Sequence, residues 1–201
     1  MSKNRDEHNK HQQEIFAREV GDYCTEIPEE IRQRLKRIVE VAELTEGERV
    51  LDVGTGTGVL IPYFRESGVN EIVGCDLSST MLEKAQQQFP DVTFWCGDIV
   101  DLPATLGTFD AVFFNAMFGN VWNQKETLST AVKLLRDRGR ICISHPLGSR
   151  YVAGLNQRDP LRTPHPLPGK KRLGELVQQL PLQVIHVEDE LDFYVAILHK
   201  I

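Results

Sequence analysis

The chain predicts an α/β fold: a doubly wound, mostly parallel sheet of seven strands that closes on an antiparallel pair. Three observations carry that prediction. Apolar runs of strand length alternate with segments of helical period between residues 49 and 144, the pattern of strands joined by crossover helices. Val50, Leu51 and Val53 pass directly into Gly54, Gly56 and Gly58, and a short apolar run bounded by glycines reads as a buried parallel strand that ends in a sharp turn. Two further strand-like runs at the C-terminal end, with Asp189, Glu190 and Asp192 around the turn between them, have the shape of a hairpin.

Taken in order, residues 1–12 are polar and are expected to be frayed or a loosely docked helix start. Ile15, Phe16, Glu19, Val20 and Tyr23 fall in a helical stripe. Pro28 opens a firmer helix, with Glu29 and Glu30 in its first turn where acids favour the dipole. Ile31, Leu35, Ile38, Val39 and Ala42 follow at helical spacing and give it one apolar face. Strands are expected near 49–53, 72–76, 92–96, 109–114 and 139–144, and helices near 58–67, 79–88 and 124–136. Thr80 with Glu83 has the spacing of a capping box for the helix at 79–88, and Ser78 competes for the cap. The alternation implies helices on both faces of the sheet. Beyond it, Pro146, Pro160, Pro164, Pro166 and Pro168 crowd into residues 146–168. That density predicts a long loop, since proline interrupts helices and central strands, and a loop of this length is a candidate lid. A short helix near 170–180 and strands near 182–187 and 192–199 complete a single domain over 1–201, with residues 1–45 as its N-terminal helices.

The 201 residues suit one domain with a sizeable core. Hydrophobic residues make up 41% and charged residues 26%, and the formal net charge of −6 disfavours a nucleic-acid partner. No apolar stretch approaches the ~20 residues needed to span a bilayer. The first fourteen residues lack the apolar core of a signal peptide. Cys24, Cys75, Cys96 and Cys142 form no CxxC pair and read as buried free thiols, which suits a reducing cytoplasm. The six histidines have no metal-ligand spacing. His8 and His11 are placed in a solvated tail, and His186 and His199 in strands.

The chemistry concentrates around the glycine turn. Asp52 lies in the strand end two residues before Gly54, and a second acid, Asp76, ends the next apolar run, Ile72-Val73-Gly74-Cys75. A carboxylate at that place is suited to accept both hydroxyls of a ribose. A nicotinamide site normally spaces its glycines G-x-G-x-x-G, whereas Gly54, Gly56 and Gly58 alternate. With Asp52, Asp76, Asp98 after strand three, the Phe109-Asp110-Ala111-Val112 start of strand four and the Leu135-Arg136-Asp137-Arg138-Gly139 approach to strand five, the chain resembles the class I S-adenosylmethionine-dependent methyltransferases over roughly Gly47 to Ser144.

That resemblance implies a Rossmann-like sheet, S-adenosyl-L-methionine as cofactor and a small-molecule acceptor of apolar or aromatic character. It implies that the loop of Gly54, Thr55, Gly56 and Gly58 wraps the methionine end, and that Asp52 approaches its ammonium group. Asp76 with Leu77 would take the ribose, Met81 would lie beside the adenine, and Gly97, Asp98 and Ile99 would take its amino edge. Asn115 completes the set. Asn115 is not followed by Pro-Pro-Tyr, which counts against acceptors of the DNA-base and glutamine type. Phe118 and Trp122 either line an acceptor pocket or belong to the core. His145, directly after strand five, stands with Arg150 and His165 as candidate base or anchor. A nicotinamide oxidoreductase is the rival enzyme class, and it lacks here a Tyr-x-x-x-Lys pair. A catalytically silent binding subunit of the same fold is the other rival.

Overall fold

The structure, a computed structural model, describes residues 4–19, 21 and 26–201. Helices α1 (Arg5–Glu19) and α2 (Glu29–Val41) precede strand β1 (Arg49–Val53). Next come α3 (Ile61–Glu66), β2 (Glu71–Asp76), α4 (Ser79–Gln88), β3 (Thr93–Cys96), β4 (Phe109–Asn115) and α5 (Gln124–Leu134). The chain ends with β5 (Leu135–His145), α6 (Gly148–Arg158), α7 (Lys170–Val177), β6 (Leu182–Glu190) and β7 (Phe193–Lys200). The seven strands form one sheet in the order β3-β2-β1-β4-β5-β7-β6. The first five run parallel, and β7 is antiparallel to both β5 and β6.

Each face of the sheet carries its own core. On one, Leu51, Val112 and Ile143 pack with Leu128 and Ala131 of α5 and Leu173 of α7. On the other, Val50, Ala111 and Phe113 pack with Leu35 and Ile38 of α2 and Phe64 of α3. Adjacent strand residues therefore bury on opposite faces, which is why Val50–Val53 of β1, apart from Asp52, and Ala111–Phe114 of β4 are apolar at successive positions. Pro28 stands at the N-cap of α2. Ser78, and not Thr80, caps α4, its hydroxyl accepting from the Met81 amide at 3.3 Å.

The structure corrects four expectations. Residues 146–168 are not a continuous loop, because α6 occupies Gly148–Arg158. Pro146 and Pro160 lie outside that helix, so the proline count is high while the helical stretch contains none. Of residues 1–12, those from Arg5 onward begin α1, the helix-start alternative, but His8 does not lie in a solvated tail and is 5% exposed. β5 starts at Leu135, four residues early, with a register shift against β4 between Phe109 and Ala111. Cys75 and Cys142 are buried, but Cys96 is exposed, since β3 is an edge strand with no neighbour to cover it. Val20, Tyr23 and Cys24 lie outside the described residues.

Candidate active site

The larger cavity opens at the carboxyl ends of β1, β2 and β4, where an open α/β sheet changes direction and binds ligands. It occupies about 1170 Å³ counting its open mouth. Asp52, Gly54, Thr55 and Gly56 line it from the β1 turn, with Asp76, Leu77 and Met81 from β2 and α4. Gly97, Asp98, Ile99 and Asn115 line it from the ends of β3 and β4. Eleven of the twelve residues expected at a cofactor thus share one cavity. The exception is Gly58, which lines a separate surface groove beside Phe89. Its backbone is left-handed, and a Cβ there would lie 2.7 Å from the Ile61 side chain, so glycine is needed for packing. Gly56 is also left-handed, but a Cβ would meet nothing within 4 Å.

The acids differ in what they already hold. Asp52 is 2% exposed and accepts the Thr55 hydroxyl at 2.7 Å. Burial raises its pKa to about 7, against the Thr55 hydrogen bond and with a smaller push from Asp76. A buried carboxylate without a cation beside it among the described residues suits a cationic ligand group. Asp76 accepts the Gly56 amide at 2.9 Å with one oxygen and the Ser78 amide at 2.9 Å with the other. It therefore ties the glycine turn to the start of α4, and each oxygen keeps a lone pair for a hydroxyl. Burial raises its pKa against those amides. Asp98 caps the turn at Ile99–Asp101 through the Val100 amide at 3.2 Å.

Sequence reasoning missed the roof of this cavity. Arg5, Asn9, Gln12 and Phe16 of α1 all line it. Their spacing of four, three and four places them on one helical face. Arg5 pairs with Asp101 at 3.0 Å, and the Asn9 side-chain amide donates to Asp98 at 2.8 Å. His8 meets the Asn120 carbonyl at 2.7 Å and tilts against the Trp122 ring, and burial lowers its pKa. Gln12 is 1% exposed, and its amide nitrogen donates to the Arg162 carbonyl at 2.8 Å. Its Oε1 is buried with no hydrogen-bond partner among the described residues, a state costing about 1–3 kcal/mol. The only advance signal was polar: an Arg-Asn-Gln-Phe stripe at helical spacing.

A smaller cavity adjoins the first, sharing Phe16, Ala116 and Asn120 with it. Ala116 follows β4 with φ 56°, a left-handed backbone uncommon for a residue with a side chain. Its amide donates to the Ser144 carbonyl at 2.8 Å, and the Ser144 hydroxyl donates to Asn115 Oδ1 at 3.0 Å. His145 ends β5 and lines this second cavity. Its Nδ1 accepts the Leu147 amide at 3.1 Å, and burial lowers its pKa to about 4. The neutral ring therefore carries its proton on Nε2. His165 and Arg150 line neither cavity; the His165 ring meets the Trp122 carbonyl at 3.2 Å. Phe118 is core, packed edge-on to Phe114, whereas Trp122 lines the larger cavity. No group of His, Cys, Asp and Glu among the described residues could hold a metal ion.

Residues 50–139 match the family of methyltransferase domains. A demethylmenaquinone methyltransferase of Paenarthrobacter aurescens is 32% identical over 119 residues, 57% of this chain and 47% of the relative. The enzyme of the same name from Thermotoga maritima is 35% identical over 109 residues, 54% of this chain and 48% of the relative. The chain thus spans about half the length of these curated relatives. Among solved structures, a TehB-like S-adenosylmethionine-dependent methyltransferase from Corynebacterium glutamicum superposes with TM-score 0.64 at 18% identity, covering 98% of this chain and 100% of the other. A chain from the Haloferax volcanii complex of the Trm112 methyltransferase activator superposes with TM-score 0.73 at 17% identity, covering 98% and 99%. The match to methyltransferase domains thus spans a little under half of this chain, and the seven-stranded sheet that contains it has the Rossmann-like methyltransferase fold.

Proposed function

We propose that the protein transfers a methyl group from S-adenosyl-L-methionine to a small molecule of apolar or aromatic character. The observation that carries this reading is the convergence of Asp52, the Gly54–Gly56 turn, Asp76 and Asp98 on one cavity. That set offers a buried anion, an approachable backbone and two further carboxylates in the chain order in which an aminocarboxylate, a ribose and an adenine would be met. When bound, S-adenosyl-L-methionine supplies a sulfonium methyl already primed for in-line displacement. The residues have three tasks. Asp52 holds the ammonium group and becomes fully ionised in doing so. Asp76 and Asp98 fix the nucleoside end. The α1 roof excludes water and holds the acceptor close, which supplies most of the acceleration in a reaction of this kind. A cytoplasmic setting goes with this reading, as Cys75, Cys96 and Cys142 are free.

Thermal shift tests it directly. S-adenosylhomocysteine at about 100 times its Kd should stabilise the chain by about 2.7 kcal/mol, or roughly 5–11 °C at this size, and NAD should not. Stabilisation by NAD alone would make the protein a nicotinamide enzyme. A screen with labelled cofactor and a metabolite extract then finds the acceptor. Cofactor binding without transfer to any fraction would favour the silent binding subunit.

A further inference from the structure

We infer that the smaller cavity seats the methyl acceptor and selects an uncharged planar ring bearing an oxygen, which accepts a hydrogen bond from His145 Nε2–H. The inference rests on the methyl-transfer reading and names its acceptor side.

Four observations point to it. The cavity communicates with the larger one through a shared wall of Phe16, Ala116 and Asn120, so a molecule there lies against the compartment that would hold the methyl donor. His145 is 7% exposed, and Nε2 has no hydrogen-bond partner among the described residues. With Nδ1 committed to the Leu147 amide at 3.1 Å, Nε2 must donate. Gln12 Oε1 is the buried side-chain atom left without a partner among the described residues, so Nε2 is not sealed off, and an accessible donor on a residue that lines a cavity is met by an acceptor that a ligand brings. Burial keeps that ring neutral, with its pKa near 4, so the donor persists across the physiological range.

The charge of the site excludes acids. Arg162 is the charged side chain in its lining. Both its terminal nitrogens are bound by Glu19, each at 2.7 Å, so the pair presents no net charge to a ligand. The remaining walls suit a ring. Phe16 stands on the α1 side, and Tyr151, whose ring centroid lies 5.5 Å from that of His145, stands on the α6 side with Val152 and Leu155. Faces of this kind take a planar conjugated system by offset or edge contact. His145 is accordingly a binding residue: an imidazole already protonated on its free nitrogen orients an oxygen and does not withdraw its proton.

The test uses the full chain saturated with S-adenosylhomocysteine and two matched rings, 1-tetralone and its hydrocarbon counterpart tetralin, in ligand-detected NMR titrations. The native complex should bind 1-tetralone about fivefold more tightly than tetralin, equivalent to about 1 kcal/mol. His145→Phe should bring that ratio within about twofold while leaving the S-adenosylhomocysteine affinity unchanged. Leu155→Trp, which fills the cavity from α6, should abolish binding of both rings and also spare the S-adenosylhomocysteine site. Thermal melts check that both variants fold, and if His145→Phe does not, Leu155→Trp alone decides. Failure of the native complex to bind 1-tetralone, an unchanged ratio in His145→Phe, or undiminished ring binding in Leu155→Trp each overturns the inference. If the native chain does not bind S-adenosylhomocysteine, the methyl-transfer reading fails separately. The same ratios measured without it then still judge the cavity.

Discussion

Asp52 shows how a single side chain records a missing partner. Its ordinary carboxyl value is 3.8, and burial carries it to about 7 in the folded chain. Between those two pH values the folded state holds a proton that the unfolded state has released, so Asp52 makes the unliganded protein less stable as pH rises through that window. Asn keeps an oxygen for the Thr55 hydroxyl and carries no charge. Asp52→Asn should therefore stabilise the unliganded protein at pH 8, by about 1.4 kcal/mol for each pKa unit recovered, and so raise its melting temperature there, while leaving it unchanged near pH 4. The same substitution should weaken S-adenosylhomocysteine and remove the rise in its affinity through pH 7. Melts and calorimetry at pH 4, 6 and 8 check both, and equal pH slopes for the two proteins would exclude Asp52 as the cause.

At the scale of elements, α1 differs from every other helix in what holds it down. Its buried residues are His8, Gln12 and Ile15, and none of them belongs to either main core. It is held instead by hydrogen bonds and ion pairs to residues that line the cavity or border it. Partly exposed polar contacts of this kind contribute about 1 kcal/mol each or less, so α1 belongs among the segments that open most readily. The double variant Arg5→Ala/Asn9→Ala removes its contacts to Asp101 and Asp98. Amide exchange across residues 5–19 should accelerate about tenfold while β1, β4 and β5 keep their protection, and S-adenosylhomocysteine should bind several-fold more weakly. Exchange that quickens in the sheet as well would mean that α1 is part of the core and not a cover. The same polar attachment explains why the place of α1 at the cavity escaped notice, although the stripe at Ile15, Phe16 and Glu19 announced a helix. A helix is recognised by its apolar face, and the informative face here is Arg5, Asn9, Gln12 and Phe16. The helix α6 was hidden differently, by prolines that flank it without entering it.

For the molecule as a whole, the sheet was legible because its central strands are buried on both faces and so appear as apolar runs closed by glycine or an acid. The Asp52-to-Asp98 side of the site was legible for the same reason: those residues are adjacent in sequence to strand ends. The smaller cavity was not, because it is assembled from α1, the β4 and β5 termini and α6, whose meeting no local pattern announces; only His145 stood out from its position after a strand. This division has a mechanical consequence. Phe113 is fully buried in the middle of β4, its ring 4.8 Å from that of Phe64 in the core beneath α2 and α3. It lines neither cavity. Phe113→Ala should cost about 3–5 kcal/mol, lowering the melting temperature by roughly 6–20 °C for a chain of this size. The strand termini two residues away remain fixed by the β1 and β5 ladders. At 15 °C, where the variant is still folded, its affinity for S-adenosylhomocysteine should stay within about twofold of native, which is under about 0.5 kcal/mol. Calorimetry at that temperature beside a thermal melt separates the two quantities. A loss of affinity in proportion to the loss of stability would show that site and core are one cooperative unit, and that the cavity depends on the packing of the whole sheet.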